Sequence, residues 1–526
     1  MIMGKRRDIA GFERSAADAA RALLDAASVS VVSHIDADGI TAAAIASAAL
    51  SRSGVEHTIR FVKKLDDAEI ERINAESQER VWLVDLGSGS FSKLDRSRVV
   101  VSDHHRPDTS PPQGMVDLFS FDSHHVNPHL FGLDGAIEIS GAGATYVVAK
   151  AMDPTNIDLA ALAVIGAVGD FQDNAEGRLA GYNRRILKDA VASGRVNACT
   201  DLRLFGRETK PLHIFLQFSS DPALLPVLRE TQEASFYRAD NALDVDRQLC
   251  VDFLSDLGVE LKDGERWRSW GCLGKEEKKR VASELCIRML DCGRGLTAIR
   301  RLIGEVYVLD PRLVDAPEGW MTEGGGVDIA DDEVSWHPNA RALLDAKETA
   351  TLLNACGRHD RAEVGMAICL GDRGESLATA LQEQDNHRIA LRTAIRLVQE
   401  DPSFSVREDA ELPSLRYFHG QDQIGDTIVG IVAGMLLGSP GVPDDRPLFA
   451  FAQAIEDGAT VKVSARGTRD LVRRGLDLAV GMKIASEAVG GTGGGHNAAA
   501  GASLPLGSEM EFLHQADEIL RRQLSL

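Results

Sequence analysis

Little in this sequence could cross-link the chain, anchor it in a membrane or draw it to polyanions. Seven cysteines stand among 526 residues, at positions 199, 250, 272, 286, 292, 356 and 369, with no C-x-x-C pair. That spacing excludes a disulfide framework and a zinc site of familiar form, and it leaves free, mostly buried thiols in a reducing compartment. No run approaches the roughly 20 uninterrupted apolar residues of a membrane span. The best one, Ile428 to Leu437, contains Gly430 and Gly434 and runs into Pro440. Met1 to Leu24 carries Lys5, Arg6, Arg7, Asp8, Glu13 and Arg14 ahead of an alanine-rich stretch, which is not a signal peptide, so a cytoplasmic protein is expected. Positive charge is in deficit: 58 Lys and Arg against 79 Asp and Glu give a net charge of -21. Affinity for phosphate backbones is largely electrostatic, so this balance weighs against a general nucleic-acid binder while leaving room for one basic channel or for divalent cations. Internal repeats and low-complexity segments are missing as well.

What is present is a recurring arrangement of carboxylates at the ends of apolar runs. Val29 to Val32 leads into Ser33-His34-Ile35-Asp36-Ala37-Asp38-Gly39, Val81 to Val84 into Asp85, and Val99 to Val101 into Ser102-Asp103-His104-His105. Such runs predict strands buried on both faces of a parallel sheet, and ligands of such sheets gather at the carboxyl ends of the strands. A fourth acidic group, Asp170, ends the apolar helix predicted over Leu159 to Val168. Each fragment has an ordinary explanation taken singly. Asp-x-Asp-Gly caps and starts a helix, and adjacent histidines in a loop are usually solvated. Together they would repel one another in one crevice unless cations lay between them, so a two-metal centre is expected. Hard carboxylates with an imidazole suit Mn2+ or Mg2+ better than a thiolate-rich zinc site does. Two such ions about 3.5 to 4 Å apart activate a water and stabilise the leaving oxygen of a phosphate in an in-line displacement.

Around these motifs the pattern is α/β. Strands are predicted at Ser28 to Ser33, His57 to Val62, Val81 to Leu86 and Arg98 to Ser102, and helices at Ser15 to Ala27, Ile40 to Ser51, Asp66 to Ala75, Ser140 to Met152 and Asn183 to Ala192. Pro107, Pro111 and Pro112 mark a loop, and the glycine-rich start of the Ser140 helix is suited to a phosphate. Residues 1–195 form a first domain, 196–344 a mostly helical insertion holding Trp267, Trp270, Trp320 and Trp336, and 345–526 a second α/β domain. In the last, Val364 to Leu370, Leu448 to Gln453 and Thr460 to Ser464 are strand-like, and Leu471 to Val489 is helical. Gly493-Gly494-Gly495-His496 is either a flexible loop or an anion nest with a histidine donor, and Arg466, at a strand tip, can pair bidentately with a phosphate. His124, His125, His129, His213 and His514 are assigned to packing or surface.

With these motifs in this order, the chain resembles the DHH-family phosphoesterases, and within them the RecJ-type single-strand exonucleases of archaea. His34-x-Asp36-x-Asp38-Gly39 is similar to the family's first motif, Asp85 to the second, Asp103-His104-His105 to the third and Gly169-Asp170 to the fourth. Gly493 to His496, preceded by Ser464-x-Arg466, resembles the companion DHHA1 domain. The resemblance implies a parallel-sheet DHH domain and an α/β DHHA1 domain joined by the insertion, with the active site in the cleft between them. It implies that His34, Asp36 and Asp85 hold one metal and Asp38, Asp85, His104 and Asp170 the other, Mn2+ preferred and Mg2+ accepted. His105 then contacts the scissile phosphate, Asp103 orients a histidine, and Arg466, Gly494, Gly495 and His496 grip the neighbouring phosphate. The implied activity is 5'-3' hydrolysis of single-stranded DNA in repair or replication. Alternatives are an exoribonuclease, a phosphodiesterase of oligonucleotides or cyclic dinucleotides, and a replication factor docking on GINS and the replicative helicase through the insertion.

Overall fold

The computed structural model describes residues 7–108, 124–219, 222–231, 242–310, 326–327, 340–439, 441–454 and 460–524. Lys5, Arg6, Pro111, Pro112, Trp320 and Trp336 lie outside the described residues. Two compact units divide the chain, Met1–Asp385 and Asn386–Leu526.

The first unit is organised on a five-stranded parallel sheet of β1 (Ser28–His34), β2 (Glu56–Val62), β3 (Arg80–Val84), β4 (Val99–Ser102) and β5 (His124–Val126), in the order β2-β1-β3-β4-β5. Val29, Val31, Val32, Trp82, Leu83, Val84, Val100 and Val101 are fully buried. Covered on both faces, these strands have no solvated side on which polar residues would alternate. Helices α1 (Ile9–Leu24), α2 (Ala37–Arg52), α3 (Asp67–Asn74), α4 (Gly141–Met152), α5 (Ala160–Gly169) and α6 (Asn183–Ala192) complete this part. The alanine-rich α2 lets α4 and α5 come close, and Gly166 of α5 lies where a Cβ would meet Thr41 Oγ1 at 2.6 Å and Ala142 Cβ at 2.7 Å. The first helix starts earlier than the Ser15 expected, because Asp8 caps it by accepting from Gly11 N–H at 2.8 Å.

The insertion is mostly helical, as expected, around its own core of Phe215, Phe253, Trp270 and Leu285. A ribbon of Val196–Leu202 paired antiparallel with Ile303–Leu309 brings the chain out and back. The helix Ala346–Arg358 then follows, capped by Asp345, whose carboxylate also receives the buried Arg207 guanidinium at 2.8 Å. Val364 to Leu370 is not a strand: Ala362–Cys369 is a helix burying Ala362, Gly365 and Ile368. A short, wholly apolar run cannot be assigned to strand or helix by periodicity, and here the three-residue spacing of the buried positions decides.

The second unit carries a mixed five-stranded sheet in the order Arg416–His419, Leu448–Gln453, Thr460–Arg466, Ala499–Pro505, Thr492–Gly495. The first pair is parallel and the remainder antiparallel. The expected helix over Leu471 to Val489 is two, Arg469–Arg473 and Leu478–Ala488, broken at Gly475, whose φ of 111° leaves the helical region. The Gly490 to His496 stretch is not merely a loop, since Thr492–Gly495 forms the edge strand. Among the described residues no helix is long and apolar enough to cross a membrane.

Candidate metal centre

Parallel register brings the acidic fragments together. Ser33 pairs with Val84, Val84 with Ser102, and Ser102 with Val126, so His34, Asp85, Asp103 and Asn127 lie on one row at the carboxyl edge of the sheet. Asp85 leaves β3 with φ 59°, a left-handed conformation that costs a non-glycine residue about 1 to 2 kcal/mol. Its N–H is still held by Ser102 O at 2.9 Å. Strain of this kind is kept where surrounding structure enforces it, characteristically at functional sites.

His34 Nδ1 lies 3.0 Å from Asp36 Oδ2 and 3.9 Å from Asp85 Oδ2. Asp36 caps α2 by accepting from Gly39 N–H at 2.9 Å, which leaves its other oxygen facing His34. His104 donates from Nδ1 to Gly135 O at 2.7 Å, so its Nε2 faces the carboxylates, 3.4 Å from Asp85 Oδ1 and 3.8 Å from Asp38 Oδ2. Asp170 Oδ2 is 3.7 Å from His104 Nδ1 and receives Gln172 Nε2–H at 3.0 Å. Potential ligand atoms thus fall into neighbouring sets: His34, Asp36 and Asp85; Asp38, His104 and Asp170; and Asp85 again beside Asp103, His104 and His105. Asp85 stands in two of them. The glycine-rich start of α4 does meet an anion, but it is Asp38: Gly141 N–H donates to Oδ2 at 2.7 Å and Ala142 N–H to Oδ1 at 3.0 Å.

Electrostatically the cluster is under load. Burial, then the Asp38 and Asp36 carboxylates, push the Asp85 carboxyl well up. Burial also raises Asp170, to about 6, against the pull of His104. His104 is pushed up to about 9: burial opposes this, and Asp170, Asp38 and Asp103 outweigh it. With every carboxyl ionised, Asp36, Asp38, Asp85, Asp103 and Asp170 would outnumber the imidazoles of His34, His104 and His105. Asp85 Oδ1 is buried without a hydrogen-bond partner. That unpartnered carboxylate oxygen and a hard O and N donor set fit divalent cations of the Mn2+ or Mg2+ kind.

Asp103 is differently placed. It is fully buried, and its Oδ1 accepts from His104 N–H at 2.7 Å, His105 N–H at 3.2 Å and His105 Nδ1–H at 2.8 Å, while Oδ2 accepts from Ser88 N–H at 2.9 Å. With its acceptor sites occupied by protein donors it orients the His105 ring, leaving Nε2 outward on a half-exposed side chain. His105 is pushed up to about 9 by Asp103, against burial.

In the second unit Arg466 ends its strand opposite Ala499, beside the turn in which His496 N–H donates to Ala499 O at 2.8 Å. Arg466, Gly494, Gly495 and His496 thus gather at one end of that sheet. Gly430 allows the guanidinium to lie alongside it, since a Cβ there would meet Arg466 Nη2 at 2.6 Å.

Sequence reasoning missed two supports. Ser88, His125 and Asn127 surround Asp103, although His125 was assigned to packing or surface. From the helix Ala346–Arg358, Asn354 Oδ1 accepts from Ala37 N–H at 3.0 Å, and Gly357 lies where a Cβ would be 1.7 Å from Ile35 O. That close approach to the Asp36 turn, from more than 300 positions along the chain, left no local signal.

Family models match three stretches: the DHH family N-terminal domain over residues 28–167, a DHH-CID domain over 204–303 and a DHHA1 domain over 415–522. An uncharacterized protein of Methanocaldococcus jannaschii is 27% identical over 501 residues, covering 94% of each chain. The single-stranded-DNA-specific exonuclease RecJ of Thermus thermophilus is 27% identical over 209 residues, 37% of this chain and 29% of that protein. Among solved structures, T. thermophilus RecJ in complex with Mn2+ superimposes with a TM-score of 0.52 at 16% identity, covering 97% of this chain and 55% of that one. Cdc45 from Entamoeba histolytica gives 0.55 at 12%, covering 97% and 99%. These structures share the fold with this chain, which spans about half of the RecJ structure.

Proposed function

The chain belongs to the DHH family, with DHH and DHHA1 domains in a RecJ-like arrangement, and on that premise we propose that it is a two-metal phosphodiesterase acting on single-stranded DNA from the 5' end. The observation that carries this reading is the unbroken cluster of Asp36, Asp38, Asp85, Asp170, His34 and His104, with the buried Asp85 Oδ1 left without a hydrogen-bond partner. In the proposal His34, Asp36 and Asp85 hold one ion and Asp38, Asp85, His104 and Asp170 the other, Mn2+ in preference to Mg2+. The ions supply water activation and neutralise charge developing on the phosphate. His105, oriented by Asp103, donates from Nε2 to a phosphate oxygen. Arg466, the Gly494 and Gly495 backbone and His496 hold a neighbouring phosphate of the strand.

Support for a polymeric substrate comes from the 204–303 insertion, for which a small phosphoester has no use. The test is release from end-labelled single-stranded DNA and RNA of equal sequence, with Mn2+, with Mg2+ and with chelator, beside His104→Ala. Metal-dependent release from one labelled end, lost in the variant, is expected; release that persists with chelator sinks the proposal. RNA cleaved in preference to DNA would move the assignment to an exoribonuclease.

A second reading, as a replication factor docking on GINS and the replicative helicase, has its support in the fold shared with Cdc45. The two readings are compatible, because a docking insertion leaves the metal ligands in place. Co-purification of GINS with the full chain but not with a variant altered in the insertion checks the docking.

A further inference from the structure

We propose that Ser88, Asn127 and His125 form a hydrogen-bonded brace that positions the Asp103 and His105 pair and affects turnover only through it. The proposal rests on the phosphodiesterase reading above. It begins in the register: Ser102 pairs with Val126, so Asn127 leaves β5 at the level where Asp103 leaves β4. Gly87, at φ 107°, turns the chain so that Ser88 N–H reaches Asp103 Oδ2 at 2.9 Å. Asn127 spends both amide hydrogens on this assembly, one on Ser88 Oγ at 2.7 Å and one on the His105 carbonyl at 2.8 Å, while its Oδ1 accepts from His129 N–H at 2.9 Å. The Ser88 hydroxyl is also in hydrogen-bond contact with His125 Nε2, at 2.8 Å. The His125 ring is stacked on Phe91 with centroids 4.1 Å apart. Burial, aided by Arg96, holds His125 neutral by pushing its pKa down to about 4.

The brace grips the pair at both ends. Ser88 holds the carboxylate against which the His105 ring is aligned, and Asn127 holds the main chain of His105 itself. Ser88, Asp103 and Asn127 are fully buried, so no water can replace a lost partner, and breaking one link leaves the others misaligned. None of the three brace residues stands in any of the groups able to hold an ion. Asp103, His104 and His105 do stand in one of those groups, so Mn2+ binding is measured beside turnover to tell a lost brace from a lost metal.

Asn127→Asp keeps shape and the His129 contact but removes both donors. It is expected to lower kcat about 10- to 100-fold, the usual cost of outer-shell partners, with KM and the Mn2+ dissociation constant within twofold. In a His105→Ala background the same change should cost less than twofold, because its route to the reaction is gone. His125→Gln, which keeps a hydrogen-bonding group near the Nε2 position, should retain most of the kcat that His125→Phe loses. An equal loss in the His105→Ala background, or a loss carried by weaker Mn2+ binding, overturns the proposal. Should the wild-type chain hydrolyse no phosphodiester, the functional reading fails and hydrogen exchange still decides the brace. Exchange of the His104 and His105 amides at least tenfold faster in Asn127→Asp, with β3 unchanged, supports it, and unchanged exchange at those amides overturns it.

Discussion

Gly141→Ala adds one methyl group at the point where the two proposed ion positions share protein. A Cβ on Gly141 would lie 2.2 Å from Asp85 Oδ1, 2.6 Å from Asp85 Cβ and 2.7 Å from Asp85 Cα. Carbon and oxygen do not approach closer than about 3.2 Å in a packed interior, so something must give by about 1 Å. Asp85 has little freedom to retreat, being already left-handed at φ 59° and tied through its N–H to Ser102. The start of α4 must move instead, and it carries the Gly141 N–H that holds Asp38 Oδ2. One methyl thus displaces a carboxylate from each ligand set. Overpacking of this kind costs about 1 to 3 kcal/mol of stability, and a displacement of about 1 Å among reacting groups costs on the order of 100-fold in rate. Titration calorimetry with Mn2+ and hydrolysis of labelled single-stranded DNA should both show the defect, in protein that remains folded by circular dichroism. Gly295→Ala is the control, because nothing lies within 4 Å of its added Cβ. Normal Mn2+ binding and turnover in folded Gly141→Ala would refute the argument that this contact shapes the centre.

Metal removal should read out as stability. Mn2+ at 100 times its dissociation constant adds about 2.7 kcal/mol to the wild-type chain, and Asp85→Asn should lose that thermal shift; an equal shift in the variant removes Asp85 from the ligand set. Arg207 is buried between Asp201 at 2.7 Å and Asp345 at 2.8 Å, so Arg207→Ala leaves Asp345 without its cation and Asp201 with only Lys278, at 3.3 Å, and should cost about 3 to 5 kcal/mol by chemical denaturation. A loss below 1 kcal/mol would mean that water replaces the guanidinium. Burial, then the Asp345 carboxylate, push the Glu348 carboxyl from 4.5 up to about 8, so the folded state binds its proton more tightly than the unfolded one. The stability this group contributes is full below about pH 4.5 and is lost as pH rises through about 8. Glu348→Gln should flatten that decline in urea titrations across the window, and an unchanged slope would assign the decline elsewhere.

The parts legible in the sequence are those in which the signal and its consequence lie within a few residues. Val81 to Val84 followed by Asp85 states a buried parallel strand with a carboxylate at its tip, and register then places Asp85 beside His34 and Asp103 without further information. The strand β5 has no comparable run: His124–Val126 is three residues long, so its place in the sheet was invisible and with it the placement of Asn127 beside Asp103. The glycine-rich start of α4 was legible as an anion site because exposed helix N–H groups favour negative charge. Which anion occupies it was not, since Asp38 reaches Gly141 only through the packing of α2 on α4. Gly357 makes the same point from the far end of the chain: its importance lies in a backbone approach to Ile35 that no neighbouring residue announces. Local pattern therefore reports the groups proposed to do chemistry, whereas the groups packed around them are set by close approaches between distant segments. On that ground, Asn127 and Gly357 are the positions at which substitution should damage the centre most without touching any residue that composition or spacing would single out.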